Sequence, residues 1–330
     1  MRIGSRWGIS FAAMALAIFA LASVAARPAL ADSEGHFDKT LTVTGTVDLD
    51  VQTGSGDITV HAGDAGRVEI HATIRASGRH LGGDIDARIK QIEDNPPVQQ
   101  EGNSIHIGGG DHSLFENISI SYEIKTPKET HLRSKSGSGD EDVEGISGPV
   151  DAASGSGSLK VHDIGDEVHA TTGSGDVDIE NAHGKARVSS GSGSIRATGI
   201  AGALSVSTGS GSVKLEQTAA GDVEVNTGSG EVELNHVKGA VRVSTGSGSI
   251  HADGEPAGPW RLHTGSGDVT VKLPETASFE LAAHTSSGSI ATKREVAVSG
   301  NVNPHELRGK VGSGGVLVDL NTSSGSIRID

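Results

Sequence analysis

The chain has no cysteine. Disulfides, thiolate metal sites, a cysteine nucleophile and a lipid-modified cysteine behind a leader are thereby excluded. Aromatics are 2% of the 330 residues. So few large side chains suit a thin, stacked core better than a thick globular one. Basic residues are in deficit as well: 27 Lys and Arg stand against 42 Asp and Glu, a formal charge of −15. That balance argues against nucleic acid and anionic lipid as partners. One long apolar run is present, residues 11–26, preceded by Arg2 and Arg6 and followed by Ala29-Leu30-Ala31. It has the form of an export signal cut after Ala31, and it is short for a bilayer span. The expected organisation is a signal peptide at 1–31 and one domain at 32–330. No stable membrane insertion is expected after cleavage. Three Arg and no acid leave with the signal, so the mature chain carries −18. Its expected place is the periplasm or the cell exterior.

Glycine, by contrast, is abundant, at 48 residues. It is not scattered. Gly-Ser-Gly starts at Gly137, Gly155, Gly173, Gly191, Gly209, Gly228, Gly246 and Gly265, in steps of 18 or 19. An early copy starts at Gly54, and degenerate copies start at Ser286, Gly312 and Ser323. Two residues past each corner comes an apolar column: Leu159, Val177, Ile195, Val213, Val232, Ile250 and Val269. Two further on stand Val161, Ile179, Ala197, Leu215, Leu234, Ala252 and Val271. Before each next corner a second alternating run appears, such as Val168/Ala170/Thr172 and Ala186/Val188/Ser190. Period-two alternation marks half-buried strands.

One such unit cannot bury its apolar face; stacked units can. The pattern therefore predicts an all-β, parallel β-solenoid with coils of about 18 residues, wound right-handed. Each coil has two strands, a looser second corner, and room for a third short side. Gly at the first corner permits sharp turning and close approach of stacked backbones, with the middle Ser free to bond backbone or its stacked copies. An outward column of alternating sign, Asp142, Lys160, Asp178, Arg196, Lys214, Glu233 and His251, is placed for ion pairs along the axis.

The repeated TGSGDV-type motif, the export signal, and ISISYEIKTPKET at 118–130 leading into a GSGD corner together resemble the putative-adhesin family of bacterial envelope proteins. The resemblance covers roughly residues 37–330. It implies a parallel β-helix-like fold in a domain of unknown function, and it supplies no binding residues.

Residues 76–117 break the period. Asp84 stands as an N-cap before Ile85, Ile89 and Ile92 at helical spacing, and Pro96 and Pro97 follow. A short helix at about 84–94 is expected, packed as a cap on the solenoid. The segments 273–285 and 293–311 read as loops projecting from the coils. The chain stops at Ile327–Asp330 within a strand, whose open side a loop or another subunit would cover.

Candidate chemistry is sparse. Asp57, Asp140, Asp176 and Asp268 directly follow a corner Gly, one position short of the calcium nonapeptide pattern, and Ser158, Ser194, Ser212 and Ser249 replace them elsewhere. Histidines such as His162, His169, His183, His236, His251 and His263 fall at outward or corner positions. No metal site, cofactor or catalytic residue is assigned. The Ser and Gly of the corners match neither a nucleophile elbow nor a phosphate loop. Trp260 falls in the inward column of Val223 and Val241 and is expected in the core. Thr171, Ser189, Ser207, Asn226 and Ser244 form an outward hydroxyl and amide column; beside it run Asp151, His169, Arg187, Glu224, Arg242 and Arg261. That charged neighbour is unlike an ice-binding plane. The expectation is a non-enzymatic, adhesin-like binding or scaffold module whose partner is an envelope glycan or protein. Two alternatives stand beside it: a polysaccharide-active enzyme on a β-helix, and a scaffold that meets only protein partners.

Overall fold

Inward Val, Ile, Leu and Ala on alternate positions, with Gly corners every 18 residues, produce two facing sheets. The computed structural model describes residues 34–76, 83–109, 113–298 and 303–330. The expected export signal and its expected cleavage point lie outside the described residues. Those described belong to the compact unit Ser33–Asp330 and form sheets of 14 and 15 strands.

The regular region shows the logic. Strand Val150–Ser154 lies in the 15-stranded sheet, the corner turns, and Leu159–Ile164 lies in the 14-stranded sheet. The next coil repeats this 18 residues later in parallel register, Val150 on Val168 and Leu159 on Val177. The inward residues Leu159, Val161, Val168 and Ala170 are fully buried. Burying each such Val, Leu or Ile contributes about 1.5–3 kcal/mol before the entropy of ordering is charged.

No third sheet forms among the described residues. Ile146, Ile164 and Ile200, fully buried, instead close the end of the two-sheet core. Each follows a residue in the left-handed region, Gly145, Asp163 and Gly199, with Asn181 and His236 matching them in other coils. Gly, Asn and Asp tolerate this bend best. The register shifts between Ala197 and Ile200, and where the corner step is 19 the extra length is taken up between the pairs Ile200–Gln217 and Leu204–Val223.

Close approach is what the Gly-Ser-Gly corner requires. A Cβ on Gly157 would stand 1.9 Å from the carbonyl oxygen of Gly139, and one on Gly137 2.3 Å from that of Gly54. The hydroxyl that ties successive corners is not the middle Ser, which is exposed at Ser138, Ser156 and Ser174. It belongs to the buried residue before the corner. Ser154 Oγ donates to Gly139 O at 2.9 Å and accepts from Gly157 N at 2.8 Å; Thr172 Oγ1 repeats this on Gly157 and Gly175.

The two ends depart from chain order. Val47–Thr53 and Ile58–Ala62 stack in register on Thr130–Ser136 and Glu141–Glu144. The intervening chain supplies the helix Gly83–Asp94, as expected, and also a hairpin, Val98–Glu101 with Ser104–Ile107. Ser104–Ile107 adds to Val47–Thr53 in parallel, while Glu34–Thr42, Arg67–Ala76 and Ile118–Thr126 extend the other sheet in antiparallel pairs. Ile85, Ile89 and Ile92 of the helix are buried, and Glu93 Oε1 accepts the backbone N–H of His36 in edge strand Glu34–Thr42 at 2.9 Å. The helix thus covers a sheet edge.

At the other end the expectation of projecting loops is corrected. Phe279–Ser287, Val296–Val298 and Glu306–Val311 are strands. The final coil, Val316–Ser324 and Ile327–Ile329, does not sit at the end. It lies between Trp260–Ser266 with Val269–Lys272 on one side and Phe279–Ser287 with Ile290–Thr292 on the other. The last residues therefore pair on both sides. Phe279 and Leu281 bury against Val316 and Val318, which is why this segment is strand rather than loop. Gly312 is not a stacked corner either: at φ +60 it turns the chain after Glu306–Val311, beside Ser278.

Candidate functional site

Parallel register carries every outward position into a straight column. On the 15-stranded sheet one column runs Asp50, Arg133, Asp151, His169, Arg187, Ser205, Glu224, Arg242, Arg261 and Asp319. The next runs Thr171, Ser189, Ser207, Asn226, Ser244 and His263. The two columns foreseen from the period therefore exist and lie side by side.

A groove of about 330 Å³ crosses five of these strands. Ala203, Ala240 and Pro259 contribute an apolar floor; Lys185, Arg187, Arg242 and Arg261 stand along it with Glu167, Glu224 and Asp222, the last of which accepts the N–H of Ala240 at 3.1 Å. Arg133 and His169 share Asp151, at 3.7 Å each. Among the described residues, Arg187, Arg242 and Arg261 have no such partner: the ion pairs of the chain leave them out. Arg242 and Arg261 are also direct neighbours in register. Like charges placed so destabilise a sheet slightly; Glu224 flanks Arg242 and Asp319 flanks Arg261 in register, though neither closes an ion pair with its arginine.

The opposite face differs. There a groove of about 390 Å³ is lined by Asp176, Asp178, Glu231 and Glu233 against Arg196 and Lys214. Of the alternating column, Lys214 with Glu233 at 2.9 Å is the pair that forms. Its Asn235 and Lys214 contacts hold the Glu233 carboxyl below its usual range. Exposed pairs are worth about 0–1 kcal/mol, so the other members are under little compulsion to close.

The corner aspartates have structural work. Asp140 Oδ1 accepts from Ser158 N at 2.7 Å, Asp176 Oδ1 from Ser194 N at 2.8 Å, and Asp268 Oδ1 from Ser326 N at 2.7 Å. Each carboxylate thus receives the N–H of the equivalent residue in the coil stacked on it. Among the described residues no group of three His, Asp or Glu could hold a metal ion. His162, His169, His236 and His251 pair with carboxylates on neighbouring coils, as His162 with Glu180 at 3.4 Å and His236 with Glu216 at 3.5 Å, whereas His183 Nδ1 lies 3.2 Å from the carbonyl of Ile164. Trp260 is fully buried between Val241 and Val318, and its Nε1 donates to Gly239 O at 3.1 Å.

One residue escaped the sequence reading. Glu141 occupies the inward column of Leu159 and Val177 and is 1% exposed. It spans the core: Ser134 Oγ donates to one carboxyl oxygen, and Ser136 N donates to the other at 3.0 Å. Burial pushes its pKa up to about 7, against hydrogen bonds that lower it. The column alignment contains this signal, since an acid stands where seven other coils carry Leu, Val or Ile. A larger hollow, about 870 Å³, opens where the irregular chain crosses the first corner, beside Ser55, Phe115, Asn117 and Lys135. Arg88 Nη1 fixes that crossing by donating to the carbonyls of Ser113 and Glu116 at 3.1 and 3.0 Å.

Two parallel sheets joined by stacked glycine corners, with ordered polar columns outside, define a β-solenoid. The chain belongs to the Toastrack DUF4097 family, whose model matches residues 165–330. A search of the curated proteins finds no match. Solved structures give distant likenesses. A "putative lipid binding protein" from Parabacteroides distasonis is 12% identical, with 90% of this chain and 97% of that one covered at a TM-score of 0.39. A "putative adhesin" from the same species is 12% identical, covering 89% and 96% at 0.36. A "putative cell adhesion protein" from Clostridium sporogenes is 11% identical, covering 89% and 98% at 0.24. Likenesses this distant place no residue and assign no ligand. No helix among the described residues is long and apolar enough to cross a membrane.

Proposed function

We propose that this is an exported, non-enzymatic interaction module of the bacterial envelope or cell surface, and that the outer face of its 15-stranded sheet is the contact surface. Export is supported by the basic-then-apolar N-terminus with its small-x-small end. The observation that carries the contact face is the groove with its three unpaired arginines, Arg187, Arg242 and Arg261, beside a column of hydroxyl and amide groups. A rigid β-framework holds these side chains at fixed intervals of about 4.8 Å, the spacing of paired strands. Preorganised groups lose little entropy on binding. On the opposite face Asp176 accepts a backbone N–H and Lys214 pairs with Glu233, so part of its charged set is already engaged.

The test is retention of the purified exported protein on the host's separated envelope fractions, glycan and protein, with and without calcium. Saturable retention on a fraction supports the reading. Turnover of an acidic glycan, seen as new reducing ends, would replace it with the enzyme reading. A protein crosslink without glycan retention would replace it with a scaffold that meets only proteins.

A further inference from the structure

We infer that the arginine groove binds a linear acidic polysaccharide laid along the solenoid axis, with Arg187, Arg242 and Arg261 taking its carboxylate groups. The inference rests on the contact face proposed above and names its ligand.

Four features select this chemistry. Guanidinium groups bind carboxylates in a two-pronged fashion, and here three of them close no ion pair, although Glu224 and Asp319 neighbour Arg242 and Arg261 in register. Between Arg187 and Arg242 the same column carries Ser205 and Glu224, which bond sugar hydroxyls rather than anions. The floor of Ala203, Ala240 and Pro259 offers an apolar strip to the C–H face of sugar rings. Finally, the groups recur with the coil, so a ligand with its own repeat meets them in series. The groove spans five strands, about 19 Å at the usual strand spacing, enough for several sugar units.

Other anionic polymers fit less well. The strands under the groove are paired on both sides, so an acidic peptide has no edge to join and would rely on side chains alone. An anionic membrane is a plane and does not enter a groove.

The experiment measures binding of the full exported protein to polygalacturonate by calorimetry. Parallel runs use the carboxyl-reduced neutral polymer, poly-glutamate, and phosphatidylglycerol vesicles. Saturable binding to polygalacturonate alone is expected, weakening as salt rises. Arg187→Ala, Arg242→Ala and Arg261→Ala should each weaken it about fivefold or more, and the triple variant should abolish it. Glu224→Gln should tighten it about threefold by removing a repelling charge, which a merely unfolded variant would not do. Arg196→Ala, on the opposite face, should leave it unchanged. Equal binding of the neutral polymer, poly-glutamate or vesicles would overturn the inference, as would a triple variant that binds like the original chain. If the original chain stays on envelope fractions yet ignores polygalacturonate, the ligand assignment falls and the contact-face reading stands. If it stays on none, both fall.

Discussion

At the scale of single residues, Glu141 and the corner glycines carry the sharpest consequences. Glu141 has a folded pKa near 7 against an ordinary 4.5, so the folded state holds its proton where the unfolded state has released it. Stability from this group therefore falls as pH rises from about 4.5 to about 7, and the loss is complete above that; it amounts to about 3 kcal/mol. Glu141→Gln keeps the shape and removes the charge. Denaturant melts at pH 5 and pH 8 should show the variant gaining about 2–3 kcal/mol over the original chain at pH 8 and little at pH 5. A constant difference across that window would show that the buried carboxyl is not what titrates. The glycines give a paired contrast. Gly137→Ala drives a methyl into the Gly54 carbonyl at 2.3 Å, an overpacking cost of about 3 kcal/mol. Gly54 holds the same place in its own motif, yet nothing described lies within 4 Å of its Cβ position. Gly54→Ala should stay within about 0.5 kcal/mol in the same melts. Equal costs would mean that the corner needs glycine for its turn rather than for stacking.

At the scale of elements, the regular coils were legible because one periodic pattern specifies strand, corner and inward face together. The helix was legible from Ile85, Ile89 and Ile92. The terminal strands were not. Phe279–Ser287 and Glu306–Val311 each read as irregular chain because a period says which residues are equivalent, not which coil rests on which. The second-corner bend was visible only as an unremarked column of Gly, Asp and Asn. The arginine column was visible, but its lack of partners depends on how far apart neighbouring side chains settle. The helix also has a testable duty. Ile92 is fully buried and Glu93 accepts from the edge strand. Ile92→Asp should release the helix and expose strand Glu34–Thr42 as an open edge. Sedimentation should then show concentration-dependent association, absent from the original chain; a variant that remains monomeric would deny the helix its covering role.

At the scale of the molecule, the last coil is a keystone rather than a tail. In a simple solenoid the loss of a terminal repeat removes one nearest-neighbour interface. Here residues 316–329 separate two coils that precede them in the chain, so their loss removes two interfaces at once. A chain ending at residue 315 should leave 279–311 without a stacked neighbour. Limited proteolysis should cut there while residues 130–272 resist. Resistance throughout would mean that the earlier coils close upon each other directly.

The claim that binds these scales is that one outer face, and not the other, meets the partner. The absence of cysteine makes it open to a clean test, since a single introduced thiol is the only one present. Ser207→Cys and Ser244→Cys place a thiol beside the arginine column, Lys160→Cys on the opposite sheet, and Ser55→Cys at the hollow by the first corner. The measurement is the rate of thiol labelling with and without the envelope fraction that retains the protein. The account predicts slower labelling at Ser207→Cys and Ser244→Cys, with Lys160→Cys and Ser55→Cys unchanged. Protection at Lys160→Cys or Ser55→Cys, with the other two labelling freely, would contradict it.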